Sequence, residues 1–130
     1  MNILLIDDDV EDTDLFCKAM SELFPEAMCI AVNVCPKDIA DTVISAQPDI
    51  IFMDGHMYPT NGKECLSQLN QIVDRKQVKI VIHSGSLSPS EMSEFIQLGV
   101  DDILFKPSSY DTLKSNIMNI LAKYNLASHL

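Results

Sequence analysis

Four residues able to do chemistry stand directly behind short apolar runs: Asp7 after Ile3–Ile6, Asp54 after Ile50–Met53, Ser84 after the run from Ile80, and Lys106 after the run from Asp102. A short continuous apolar run fits a strand buried on both faces of a parallel sheet, whose carboxyl-end loops gather to form a site. Asp7 opens the triplet Asp7-Asp8-Asp9. Like charges at close range raise one another's pKa, and a divalent cation relieves the repulsion; carboxylate oxygens with several retained waters suit Mg2+. An isolated aspartate such as Asp54 can attack a phosphoryl group and hold it as an acyl phosphate, provided the incoming charge is neutralised. Mg2+ and the Lys106 ammonium supply that neutralisation, while the Ser84 hydroxyl and backbone N–H groups bind the remaining oxygens. Each residue alone has a plainer role. The triplet could be a solvated helix start, Asp54 a loop cap, Ser84 a turn residue, and Lys106 the partner of a surface carboxylate. The combination on successive strand ends points to phosphoryl transfer.

The elements needed to position these groups follow from periodicity. Strands are predicted at Asn2–Ile6, Met28–Val34, Ile50–Met53, Lys79–His83 and Asp102–Phe105. Between and after them run five helical patterns. The first spans about Glu11 to Phe24, with Leu15, Phe16, Ala19, Met20 and Leu23 inward, acids in its first turn and Pro25 as its stop. The second opens at Pro36 and carries Ile39, Ala40, Val43, Ile44 and Ala46 before Pro48; the third follows Gly62 with Cys65, Leu66, Leu69, Ile72 and Val73. Ser88-Pro89-Ser90-Glu91 reads as a capping box for the fourth, and the fifth runs from about Asp111 to Tyr124. Alternating strands and helices with short connections give an α/β fold: a doubly wound parallel (βα)5 sheet with right-handed crossovers and helices on both faces. All 130 residues fit one domain.

The 47 % hydrophobic and 22 % charged composition is that of a soluble globular protein, and no apolar run approaches the ~20 residues of a membrane span. The first apolar run is too short for a secretory signal, so the expected setting is cytoplasmic. A net charge of -10 with nine scattered basic residues argues against direct nucleic acid binding, and no membrane contact is expected. Cys17, Cys29, Cys35 and Cys65 form no CxxC pair and read as buried free thiols; His56, His83 and His129 complete no zinc pattern with them.

The order Ile-Leu-Leu-Ile-Asp7-Asp8-Asp9, Gln47-Pro48-Asp49-Ile-Ile-Phe-Met-Asp54, Ser84-Gly85 and Lys106-Pro107 resembles the receiver domain of two-component response regulators over essentially the whole chain. The resemblance implies the flavodoxin-like strand order 2-1-3-4-5. It implies Asp54 as phosphoacceptor, Asp8 as a direct Mg2+ ligand, Asp7 holding a metal-bound water, and the His56 backbone carbonyl as a further ligand. Ser84 and Lys106 correspond to the family's hydroxyl and lysine. A sensor histidine kinase or histidine phosphotransfer protein would donate the phosphoryl group. A downstream protein target would read the face of the fourth helix, fifth strand and fifth helix; a homodimer through that face is the alternative. With the chain ending about six residues after its last helix, the expectation is a stand-alone receiver or a fragment of a longer regulator, acting as a switch and not as an enzyme. Three departures from the family stand out. Tyr58 separates Met57 from Pro59, although Gly62 keeps its place. His56 and Ser86 occupy positions that tune phosphate loss. Ile103 replaces the usual aromatic switch residue.

Two other functions use overlapping residues. Asp7-Asp8-Asp9 contains the DxD of haloacid-dehalogenase-like phosphatases, with Asp7 as nucleophile, Asp9 as acid and Ser84 and Lys106 in support, but that family places its lysine ahead of a late acidic pair, whereas Asp101-Asp102 precede Lys106 here. That reading leaves Asp54 without a role. A pseudo-receiver would keep the fold as an interaction module without phosphorylation.

Overall fold

The computed structural model describes residues 1–35, 38–57 and 62–127. Pro36, the loop residues 58–61 and His129, all named above, lie outside them. The chain alternates β1 (Asn2–Ile6), α1 (Val10–Leu23), β2 (Met28–Val32), α2 (Ile39–Ala46), β3 (Ile50–Met53), α3 (Gly62–Ile72), β4 (Lys79–Ser84), α4 (Pro89–Gln97), β5 (Asp102–Phe105) and α5 (Tyr110–Lys123). The five strands form one parallel sheet in the order β2-β1-β3-β4-β5, the flavodoxin-like arrangement.

Successive side chains of a strand face opposite ways, and that alternation divides the interior into two layers. Leu4, Ile6, Ile51, Met53, Ile80 and Ile82 face Ile39 of α2, Cys65, Leu66 and Leu69 of α3, and Phe95 of α4. Ile3, Leu5, Ile50, Phe52 and Val81 face Phe16, Ala19 and Met20 of α1 and Leu113, Ile117, Ile120 and Leu121 of α5. The apolar stripes are narrower than periodicity implies. Leu15, Ile44 and Ile72 are exposed, because each helix meets the sheet along one line of residues.

Local chemistry fixes the helix starts. Asp9 caps α1 through Asp12 N–H, Asp38 caps α2 through Ala40 N–H, and Ser88 and Glu91 form the expected capping box on α4. β2 stops at Val32, two residues early, because the Asn33 amide turns aside to donate to the Asp7 carbonyl at 3.0 Å and to Thr13 Oγ1 at 3.1 Å.

The cysteines are not free thiols. Cys17 on α1 is paired with Cys29 on β2, and Cys35, beyond β2, with Cys65 on α3. The Cα separations, 5.5 and 6.2 Å, lie within disulfide range. Local spacing gives no sign of either pair, since tertiary packing brings the partners together. Loop lengths of this order correspond to about 3 kcal/mol of stabilisation per disulfide in the chain-entropy description. Alkylation of the unfolded, unreduced protein should therefore leave all four cysteines unlabelled. Reduction should expose all four and lower the melting temperature by about 20 °C; free labelling without reductant would contradict the pairing.

Candidate functional site

Strand register places the four expected residues on one edge. Ile6 pairs with Met53, Met53 with Ile82, and Ser84 with Phe105. The ladder continues one residue beyond the strands: Asp7 N–H donates to Val32 O at 3.1 Å, Asp54 N–H to Ile6 O at 2.9 Å, and Lys106 N–H to Ser84 O at 2.8 Å. These bonds fix the backbone from which each functional side chain projects.

Both oxygens of Asp54, which is 7 % exposed, are engaged. Ser84 Oγ donates to Oδ1 at 2.9 Å, His56 N–H donates to the same oxygen at 3.0 Å, and Lys106 Nζ donates to Oδ2 at 3.1 Å. The Lys106 ammonium also reaches Asp7 Oδ2 at 2.7 Å and Asp12 Oδ2 at 2.7 Å. Burial works against its charge, but hydrogen bonds to Asp12 and Asp7 and the charges of Asp7 and Asp54 outweigh burial and push its pKa above the usual lysine range. Asp7 moves in the costly direction. Burial raises its carboxyl to about 6 despite the opposing Lys106 bond.

Oxygens of Asp7, Asp8 and Asp54 can all lie within 4.8 Å of one another, with Asp8 exposed and the other two buried. An all-carboxylate set open to solvent on one side, with one member destabilised as an anion, fits a hard divalent cation that keeps several waters. Asp9 does not belong to this set. Its side chain caps α1, so the triplet divides between a cation site and a helix start.

The loop after β3 is held close. Gly62 opens α3 where a Cβ would come within 2.8 Å of the Gly55 carbonyl oxygen and 3.0 Å of that of Asp54, which explains a glycine there. His56 turns its ring outward, and its Nε2 meets Glu91 Oε2 of α4 at 2.5 Å. The Ser88 backbone N–H and this imidazole hold the Glu91 carboxyl down at about 2. Ile103 pairs with Ile82 and packs, partly buried, in the α2–α4 layer. Asp101 and Asp102 stand at the opposite edge, where β5 begins, bound to Arg75 and Lys123.

Two residues at the site escaped sequence reasoning. Asp12, one of the first-turn acids of α1, precedes the inward-facing Phe16 by one helical turn, which places it on the sheet side of α1. His83, one residue before the end of β4, shares a face with Val81, so it faces the α1 and α5 layer. It packs edge-on against Phe16, with centroids 5.6 Å apart, and with Phe52 lines the wall beside Asp7, Asp12 and Asp54.

Comparison with known proteins bears on this geometry. A family model described as the response regulator receiver domain matches residues 3–118. The stress response regulator protein 1 of Candida dubliniensis is 24 % identical over 92 % of this chain, which spans 42 % of that longer relative. Among solved structures, the phosphorylated cyanobacterial phytochrome response regulator RcpA superposes with a TM-score of 0.79 at 19 % identity, covering 92 % of this chain and 89 % of the other. Chemotaxis protein CheY4 of Vibrio cholerae gives 0.77 at 18 % identity, covering 92 % and 97 %. At these identities the structures attest the fold.

His83 supplies a pH test. Burial, then the Lys106 charge, lowers its pKa from 6.5 to about 4, so the folded protein resists protonating it. Its contribution to stability is complete above pH 6.5 and is lost as the pH falls toward 4, amounting to about 3 kcal/mol. Asp7, raised to about 6, acts in the opposite sense over the same range, so the wild-type slope alone mixes the two. The stability of wild type relative to His83→Gln should therefore fall by about 3 kcal/mol between pH 7 and pH 4 in urea melts. A difference that does not change with pH would show that His83 titrates normally.

Proposed function

The chain belongs to the response regulator receiver domain family, and from that premise we propose that Asp54 accepts a phosphoryl group from a sensor histidine kinase or histidine phosphotransfer protein, in a Mg2+-dependent reaction. The observation that carries this reading is the engagement of both Asp54 oxygens by the donors a phosphoryl group would need, Ser84 Oγ and Lys106 Nζ. An Asp54 oxygen attacks phosphorus as the donor's P–N bond breaks, and the donor imidazole leaves. Asp7, Asp8 and Asp54, with the His56 backbone carbonyl, would hold Mg2+, which supplies charge neutralisation for the transferring group. Lys106 turns from the Asp54 carboxylate to a phosphoryl oxygen, and Ser84 follows with its hydroxyl.

New charge-assisted bonds to Ser84 and Lys106 bias one of two packings of the α4, β5 and α5 face, which presents Ile96 at 60 % and Phe105 at 45 % exposure to a downstream protein. The activating step passes an aliphatic Ile103. On this reading the protein is a switch that assists its own phosphorylation and dephosphorylation, not an enzyme acting on other substrates.

The phosphatase alternative loses its support to two observations. Asp9, its general acid, is occupied as the α1 cap, and the acids Asp101 and Asp102 are bound to Arg75 and Lys123 at the opposite edge of the sheet.

Incubation with Mg2+ and acetyl phosphate should yield a hydroxylamine-sensitive phosphate at Asp54, absent in Asp54→Asn. Label at Asp7 would restore the phosphatase, and absence of both label and Mg2+ binding would leave a pseudo-receiver. Lys106→Ala should accept label more slowly than wild type, while the amide NMR shifts of α4, β5 and α5 stay at their unphosphorylated positions once it is labelled. Shifts that move as in wild type would remove Lys106 from the relay.

A further inference from the structure

The Lys106 ammonium has three N–H donors, and three carboxylates match them. The contacts to Asp7 and Asp12 are 2.7 Å each, while that to Asp54 is 3.1 Å, so the ammonium sits closer to the α1 side than to Asp54. Asp7 belongs to the set that can surround a cation; Asp12 does not. When a cation draws on the lone pairs of Asp7, Asp12 remains the anion that holds Lys106 on that side. Its carboxylate is 39 % exposed and also lines, with Lys106, His83 and Tyr110, a cleft of about 100 Å³ between α1 and the start of α5.

We propose that Asp12 is a positioning residue that competes with the phosphoryl group on Asp54 for the Lys106 ammonium and thereby slows phosphorylation. The inference rests on Asp54 being the phosphoacceptor. A phosphoryl group arriving on Asp54 is better neutralised when Lys106 donates to it, and the ammonium is already matched by three carboxylates, so that help comes only as one of them lets go. Removing the Asp12 charge frees one donor without touching the acceptor, Ser84 or the cation set. It also leaves the α1 cap intact, because Asp12 joins that cap through its backbone N–H.

The test is the rate of Asp54 labelling at saturating Mg2+ and acetyl phosphate. Asp12→Asn and Asp12→Ser, two routes to the same loss of charge, should each raise the maximal rate about fivefold, the size expected for one partly exposed ion pair. Asp12→Glu, which keeps a carboxylate, should stay near the wild-type rate. Asp14→Asn removes an equal charge from an exposed site on the same helix and should also stay near it. A merely structural Asp12 would change melting temperature and leave these rates alone. Unlabelled wild-type protein would overturn the phosphoacceptor reading and this inference with it. Labelled wild type with both neutral variants at or below its rate, or with Asp14→Asn equally accelerated, would overturn this inference alone.

Discussion

The ammonium of Lys106 is the charge on which the carboxyl edge of the sheet depends. Like charges 4.8 Å apart repel by about 3 kcal/mol at an effective dielectric constant of 20, and several such pairs meet here. Lys106 offsets them from the centre, touching Asp7, Asp12 and Asp54 together. That position follows from the length and register of β5. The strand pairs Phe105 with Ser84, and the next backbone N–H continues the ladder, so the lysine emerges level with the acids of β1 and β3. A shift of one residue would send its side chain to the other face and leave the acids unbalanced.

The N-terminal acids show how one short segment serves several needs. Asp7 faces inward to the lysine, Asp8 faces solvent at the cation set, Asp9 closes the first turn of α1, and Asp12 returns to the lysine one turn later. The division comes from backbone geometry. A strand ending in a helix rotates successive side chains through inward, outward and capping directions within a few residues. Four carboxylates of one chemical type thus acquire different environments, and burial raises the Asp7 carboxyl to about 6.

What the sequence made legible was whatever local order determines. Apolar runs marked the strands, Ser88 and Glu91 announced their capping box, and the residues following β1, β3, β4 and β5 pointed to one edge once the fold class was known. Asp12 and His83 were missed because their roles come from packing between α1, β4 and β5, and a single periodic pattern does not reveal which helix lies over which strand. The cystines were missed for the same reason, since Cys17 meets Cys29 only because α1 folds back on β2. Leu15, Ile44 and Ile72 erred the other way. Helical spacing makes them members of an apolar stripe, but a helix on a sheet buries only the centre of that stripe.

The two cystines also divide the molecule mechanically. Cys17–Cys29 ties α1 to β2, and Cys35–Cys65 ties the segment after β2 to α3, so covalent cross-braces hold the flank formed by β2, α1 and α3. No cystine reaches α4, β5 or α5. On that side α4 is held by its buried Phe95, by the Asn70 amide of α3 donating to Leu98 O at 2.8 Å, and by the exposed ion pairs Lys63–Glu94 and His56–Glu91. The sheet edge that carries the acids is therefore braced covalently on the β2 side and held by packing and noncovalent bonds alone on the α4 side.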